Sequence, residues 1–128
     1  MVEFKQKIKT ADAILIVTPE YNYSVPGVLK NAIDWASRPS GNNSFQGKNA
    51  AIMSASIGML GGARAQYHLR QSFVTLDIYA LNKPEVFVTF AAQKFDAEGR
   101  LVDEKTREVV KVLLRTLSDR TKLALGRA

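Results

Sequence analysis

Three short apolar runs alternate along the chain with three longer segments whose apolar residues recur every three or four positions. Residues 13–17 read A-I-L-I-V without a polar interruption, and such a β-branched-rich run predicts a strand covered on both faces, as in parallel α/β sheets. Pro19 ends it. Val28, Leu29, Ala32, Ile33 and Ala36 then recur at helical spacing, with Ser24 as expected cap and Pro26 in the first turn, where a missing amide costs nothing. Pro39, Ser40, Gly41 and Asn42 stop this helix. Residues 50–53 form the next buried strand, and Gly58, Gly61 and Gly62 open a helix whose stripe is Ala65, Leu69, Phe73 and Leu76. A third strand is expected over 85–90 behind Pro84, a turn over 96–99, and a last helix capped by Asp103. That helix carries Val109, Val110, Leu113, Leu114 and Leu117. The polar segment 1–10, with Val2, Phe4 and Ile8, reads as the end of a surface helix. Strand and helix alternating three times argue for one doubly wound parallel sheet. No repeat or linker interrupts it, so residues 1–128 are taken as one domain.

Composition narrows the chemistry. With 128 residues, 46% hydrophobic and 23% charged, the chain buries a core without disulfides or structural metal. Cysteine is absent, which excludes disulfide frameworks, thiolate metal sites and cysteine nucleophiles and fits a reducing compartment. The one histidine, His68, excludes a multi-histidine metal site within a chain. It sits among Gln66, Tyr67 and Arg70, where a hydrogen-bonded or solvated role is expected. Asp34 and Trp35 read as packing and capping residues. The formal charge of +6 is spread over both halves, unlike the focused patch of a nucleic-acid reader. The longest apolar run is far too short to span a membrane, and the charged N-terminus is no signal peptide. A soluble, cytoplasmic protein is expected. No Ser/His/Asp set or carboxylate pair can be assembled, so no catalytic side chain and no metal ligand is named.

In open α/β sheets ligands bind beyond the carboxyl ends of the strands, and the two loops there are unusual. The first, T-P-E-Y-N-Y-S-V-P-G over 18–27, reads either as an aromatic-capped helix entry or as a rigid wall for a flat aromatic ligand. The second, S-A-S-I-G-M-L-G-G-A-R over 54–64, has glycines that admit a ligand close to the backbone and amides at the positive end of a helix dipole. Its spacing matches neither G-x-G-x-x-G nor a phosphate loop of the G-x-x-x-x-G-K-[ST] type.

Taken together, T-P-E-Y-N-Y-S-V-P-G-V-L-K-N-A-I-D-W over 18–35 and S-x-G-x-x-G-G-A-R-A-Q-Y-H-L-R over 56–70 strongly resemble the NADPH-dependent FMN reductases. Within that family the quinone, chromate and azo-dye reductases of flavodoxin-like fold are the nearest in pattern, with N-K-P-E over 82–85 as a further match. The resemblance implies an FMN-dependent oxidoreductase that passes reducing equivalents from NADPH or NADH to a quinone, azo, chromate or flavin acceptor. It implies that Pro19, Glu20, Tyr21 and Asn22 lie along the flavin ring, largely through main-chain hydrogen bonds. Tyr23 would sit near the ring's open face, and Ser56 and Gly58 in the second flavin loop. Arg64, Tyr67 and Glu85 match positions that join subunits in relatives, which implies a homodimer or homotetramer. The resemblance begins partway into the family pattern: strand 1, the phosphate-binding loop after it, the first helix and strand 2 have no counterpart. The expectation is therefore an N-terminally incomplete flavodoxin-like sheet of strands 3, 4 and 5, with weak FMN binding and little discrimination against riboflavin. The edge of strand 3 would need a partner, so a stable monomer is not expected. The competing reading is a non-catalytic assembly module that has lost the cofactor.

Overall fold

The computed structural model describes residues 2–127. The order is α1 (Val2–Thr10), β1 (Ala13–Thr18), α2 (Gly27–Ala36), β2 (Asn49–Ala55), α3 (Ala63–Leu76), β3 (Tyr79–Ala80), β4 (Val86–Val88), a 3-10 turn (Ala91–Gln93) and α4 (Glu104–Ala124). All pairings are parallel: β1 lies beside β2 from Ala13↔Asn49 to Thr18↔Ser54, and β3 and β4 both pair with β2. This is the connectivity implied for strands 3, 4 and 5 of a flavodoxin-like sheet.

β2 is the centre. Its residues alternate between two cores. Ala50 and Ile52 join Ile16, Ile33, Phe45, Leu69 and Phe73 on the side of α2 and α3, while Ala51 meets Leu81, Val86, Leu113 and Leu117 on the side of α4. Ala50 and Ala51 are fully buried, and their small side chains let helices approach both faces of the sheet. The expectation of a strand covered twice therefore holds for β2.

It does not hold for β1. Ile16 is buried, but Leu15 and Val17 are 38% and 59% exposed, because α4 packs over β2 and β4 and only skirts β1. Among the described residues nothing pairs with the outer edge of β1.

The third strand also departs from expectation. Instead of one run over 85–90 there are two short pieces on the same edge of β2, with β3 paired at Asn49 and Ala50 and β4 at Met53, Ser54 and Ala55. Leu81 N–H still reaches Ala50 O at 2.8 Å, but the chain then leaves the sheet through residues 82–85, where Pro84 has no amide to give. Phe90 closes the segment in a left-handed conformation, φ 48°.

The helices depart from expectation at three points, the first being Val28, which spacing places on the α2 stripe but which is 80% exposed because the start of that helix overhangs the core formed by Ile33 and Ala36. Ala65, Leu69, Phe73 and Leu76 all face the core in α3. Asp103 caps α4, its carboxylate accepting from Thr106 N at 2.8 Å and Thr106 Oγ1 at 2.6 Å. Those bonds hold the Asp103 carboxyl below its ordinary range. Ser24, however, does not cap α2: Pro26 stands at that position with no side-chain cap bond. And Leu114, placed on the α4 stripe by spacing, is 42% exposed beside a buried Leu113.

That contrast gives a test of how α4 is rotated. Leu113→Ala is expected to cost about 2–5 kcal/mol in urea unfolding, and Leu114→Ala within about 0.5 kcal/mol. Equal losses would mean that α4 presents a different face to the sheet.

Candidate functional site

The loop after β1 is a tight, strained turn. Tyr21 and Ser24 exchange both backbone hydrogen bonds at 3.0 Å, leaving Asn22 (φ 49°) and Tyr23 (φ 67°) at the tip. Both are left-handed. Asparagine tolerates this conformation, but tyrosine at such an angle costs on the order of 1 kcal/mol. Something outside the turn must hold it.

Glu20 supplies the main hold. Its side chain, only 9% exposed, points away from the turn and into the start of α3. One carboxylate oxygen accepts from Arg64 N at 3.0 Å and Ala65 N at 3.3 Å, and the other from Arg64 Nε at 2.6 Å. A carboxylate at a helix N-terminus satisfies orphan amides and complements the dipole. Arg64 in turn lies over the Tyr23 ring, 3.5 Å from its centroid. Desolvation opposes the Arg64 charge, but the hydrogen bond to Glu20 and the neighbouring Tyr23 outweigh it, and its pKa rises above the ordinary value.

The amides expected to be free at the start of α3 are thus already used. Arg64 and Ala65 give theirs to Glu20, Ala63 gives its own to Leu60 O, and Gln66 to Gly62 O. No anion can use this helix end while Glu20 occupies it.

The loop after β2 is shaped by two of its three glycines. A Cβ at Gly61 (φ +57°) would come within 2.9 Å of the Phe87 backbone, and one at Gly62 (φ +84°) within 2.7 Å of Ser54 Cβ. Gly58 is under no such constraint, its nearest neighbour being Ser56 Oγ at 3.6 Å. A buried polar cluster supports the turn. Ser54 Oγ donates to Gly61 O at 2.6 Å, and fully buried Gln66 donates to Ser54 Oγ at 2.7 Å and Val86 O at 2.8 Å. Ser56 Oγ accepts from Gly58 N at 3.1 Å, so it braces the loop as well as lining it.

A third loop, missed in the sequence, completes the mouth. Ser56 N donates to Val88 O, Ala91 N to Ser56 O at 2.9 Å, and Phe90 N to Gly58 O at 3.1 Å. The half-exposed Phe90 thereby stands against the second loop. The rule that ligands gather at strand ends applies to β4 as much as to β1 and β2, and was the available signal.

All seven expected binding residues lie at the carboxyl end of the sheet: Pro19, Glu20, Tyr21, Asn22 and Tyr23 beyond β1, Ser56 and Gly58 beyond β2. Tyr21, Tyr23, Ile57, Met59 and Phe90 form an exposed, apolar and largely aromatic rim. A recess of about 330 Å³ beside it is lined by Val17, Pro19, Tyr21, Pro26 and Val28. A larger recess of about 540 Å³ lies between α1 and α2 and is lined by Phe4, Trp35 and Pro39, remote from the strand ends where the loops converge. Arg64, Tyr67 and Glu85 are each paired within the chain, Tyr67 Oη donating to Glu85 Oε1 at 2.9 Å. Lys83 and Tyr67 together lower the Glu85 pKa, and Glu85 raises that of Tyr67. Among the described residues no group of three or more His, Asp or Glu side chains could hold a metal ion.

The sequence profile of the NADPH-dependent FMN reductases matches residues 1–93. An NAD(P)H-dependent FMN reductase of Pseudomonas aeruginosa is 59% identical over 114 residues, 89% of this chain and 61% of that protein. An NADPH:quinone oxidoreductase of Arabidopsis thaliana is 54% identical over 116 residues, 89% of this chain and 58% of that one. Among solved structures, the flavoenzyme FerB, an NAD(P)H:(acceptor) oxidoreductase from Paracoccus denitrificans, superposes with a TM-score of 0.79 at 37% identity, covering 98% of this chain and 68% of its own. The chain spans about three fifths of the length of the curated relatives it matches.

The roles of Glu20 and of the glycines separate by substitution. Glu20→Ala is expected to destabilise by about 2–3 kcal/mol in urea unfolding, since it removes charge-assisted bonds to Arg64 and two helix amides. Gly62→Ala should cost more than about 1 kcal/mol and Gly58→Ala less than that. A Glu20→Ala protein of unchanged stability would show that this carboxylate does not hold the turn to α3.

Proposed function

Since the chain belongs to the NADPH-dependent FMN reductase family, we infer that it serves an FMN-dependent oxidoreductase that moves reducing equivalents from NADPH or NADH to a quinone-like or other electrophilic acceptor. The observation that carries this reading is the convergence of three loops on one mouth with an aromatic rim and unused main-chain donors. Among the described residues the amides of Asn22, Tyr23 and Ile57 have no backbone partner, and the Asn22 side chain makes no hydrogen bond and is exposed. A flavin ring presents a flat apolar body with an edge of carbonyls and nitrogens, and these groups fit it. When bound, FMN would supply the redox chemistry between nicotinamide and acceptor.

The chain's own residues do the rest. Pro19, Tyr21, Asn22 and Tyr23 give the ring a wall and main-chain donors, while Ser56 and Gly58 set the second loop at its height. Glu20 acts from behind, through α3, and its carboxylate is not available to the ring. Phe90 and Met59 leave an apolar approach suited to flat acceptors. No side chain here is placed as an acid or base.

The ring end of the cofactor fits and the phosphate end finds no cradle at α3, whose amides Glu20 has taken. The homo-oligomer in this reading is supported by the outer edge of β1, unpaired among the described residues, since an open apolar edge recruits a partner strand. A cytoplasmic setting goes with the absence of cysteine; among the described residues no helix is long and apolar enough to cross a membrane.

Titrating the 128-residue chain with FMN and with riboflavin, followed by quenching of flavin fluorescence, tests the reading. Both flavins should bind, with dissociation constants within about threefold of each other, because the phosphate adds few charge-assisted bonds. Asn22→Ala should weaken both by about threefold to tenfold. Absence of any flavin binding, together with no NAD(P)H oxidation in the presence of a quinone, would favour an assembly module instead. Light scattering over a dilution series checks the oligomer, which a folded monomer at low concentration would overturn.

A further inference from the structure

Ser24 Oγ and His68 Nδ1 lie 2.8 Å apart, and neither has another role in the chemistry or the capping described above. Ser24 is the residue that closes the strained turn, since its amide and carbonyl exchange bonds with Tyr21 at 3.0 Å. His68 lies one turn of α3 beyond Arg64. Among the described residues, the side chains of loop 19–26 hydrogen-bond to the rest of the protein at two points, and Arg64 lies over the Tyr23 ring between them. Glu20 binds the first turn of α3, and Ser24 binds the second. Between these two points stand Asn22 and Tyr23, both left-handed without being glycine.

We propose that the Ser24–His68 hydrogen bond is a positioning clasp that holds the Tyr21–Ser24 turn against α3 and so presents the amides of Asn22 and Tyr23 to the flavin edge. The proposal rests on the flavin-site reading and assigns His68 no contact with cofactor or substrate. Its physical basis is pre-organisation. A turn held at one end samples other conformations, and the fraction of chains with the binding-competent turn multiplies the apparent affinity directly. A second tie at the other end raises that fraction. The spacing makes the clasp effective, because positions 64 and 68 are four residues apart on one helix face and cannot move independently of each other. The helix is itself fixed by buried Ala65, Leu69 and Phe73.

The clasp can be removed without disturbing the core. His68 is exposed, and the Ser24–His68 contact opens onto a recess of about 280 Å³ lined also by Val25, Lys30, Gln71 and Ser72. A leucine at 68 has room there. His68→Leu and Ser24→Ala should each lower stability in urea unfolding by no more than the worth of that one bond, with the slope of the transition unchanged. Each should speed hydrogen exchange at the Tyr21 and Ser24 amides by about threefold to tenfold, the range of one net hydrogen bond. Riboflavin and FMN should bind more weakly by a similar factor, and KM for the acceptor should be left alone. The double variant should be no worse than either single one, because both remove the same bond. His68→Asn places a polar atom as many bonds from the backbone as Nδ1 and should restore protection and affinity.

Unchanged exchange at Tyr21 and Ser24 in both variants would overturn the clasp, as would full additivity in the double variant. A wild-type chain that binds no flavin would defeat the functional reading alone. The exchange measurement on the flavin-free protein would still decide whether His68 holds the turn.

Discussion

A carboxylate that is nine-tenths removed from water must be fully hydrogen-bonded or it destabilises the protein by several kcal/mol. Glu20 meets that demand with three bonds, and every donor belongs to the start of α3. The loop after β1 therefore cannot drift from the helix after β2 without exposing an unpaired charge on one side and orphan amides on the other. The same contact places Arg64, whose guanidinium is held by Glu20 beneath and covers Tyr23 above. One ion pair of modest exposure thus sets the relation of two loops that sequence places more than forty residues apart. Surface ion pairs of the kind seen at Lys7–Glu3 or Lys30–Asp34 have no such leverage, since both partners remain solvated.

The organising part played by α3 follows from its two faces. Its apolar stripe docks on the sheet, and five residues beside the stripe positions reach four separate segments. Arg64 reaches Glu20, Gln66 reaches Ser54 and Val86, Tyr67 reaches Glu85, His68 reaches Ser24, and Arg70 donates to Leu81 O at 2.7 Å. A helix is stiff over this length, so the loops inherit fixed spacings from its 1.5 Å rise. That is how a site built from loops is held as rigidly as one built on regular elements. The broken strand contributes here too: by leaving the sheet after Leu81 the chain brings Glu85 out to Tyr67, which an uninterrupted strand would have kept in the ladder.

How much of this was legible in the residues varies with the reach of the interaction. Elements governed by local pattern came through: the α3 stripe, the Asp103 cap, the covered β2, and the alternation that implies a parallel sheet. The motifs over 18–35 and 56–70 located both loops. What failed depended on distant partners. Ser24 sits where a helix cap belongs, but its hydroxyl goes to a histidine forty-four residues on. Leu114 fits the helical period, yet the sheet beneath α4 is too narrow to cover it. Leu15 and Val17 read as buried because their run is apolar, and they are exposed because α4 does not extend over β1. The two-residue β3 carries too little pattern to be seen, and Phe90 was hidden inside a run that reads as strand.

The glycine-rich loop shows why local composition alone misleads about chemistry. Glycines ahead of a helix suggest a cradle for phosphate, since the amides there point outward and the dipole favours negative charge. Here Gly61 and Gly62 serve close packing against Phe87 and Ser54, and the dipole's anion is a side chain of the protein itself. The consequence is a division of labour. The first turn of α3 is committed to holding the site together, and recognition falls to the amides and rings of the turn that it holds. A ligand that offers a flat ring and an edge of hydrogen-bonding atoms uses what remains. A ligand that depends on a phosphate at the start of α3 would have to displace Glu20, leaving a desolvated carboxylate beside an added negative charge, and electrostatics forbids that exchange.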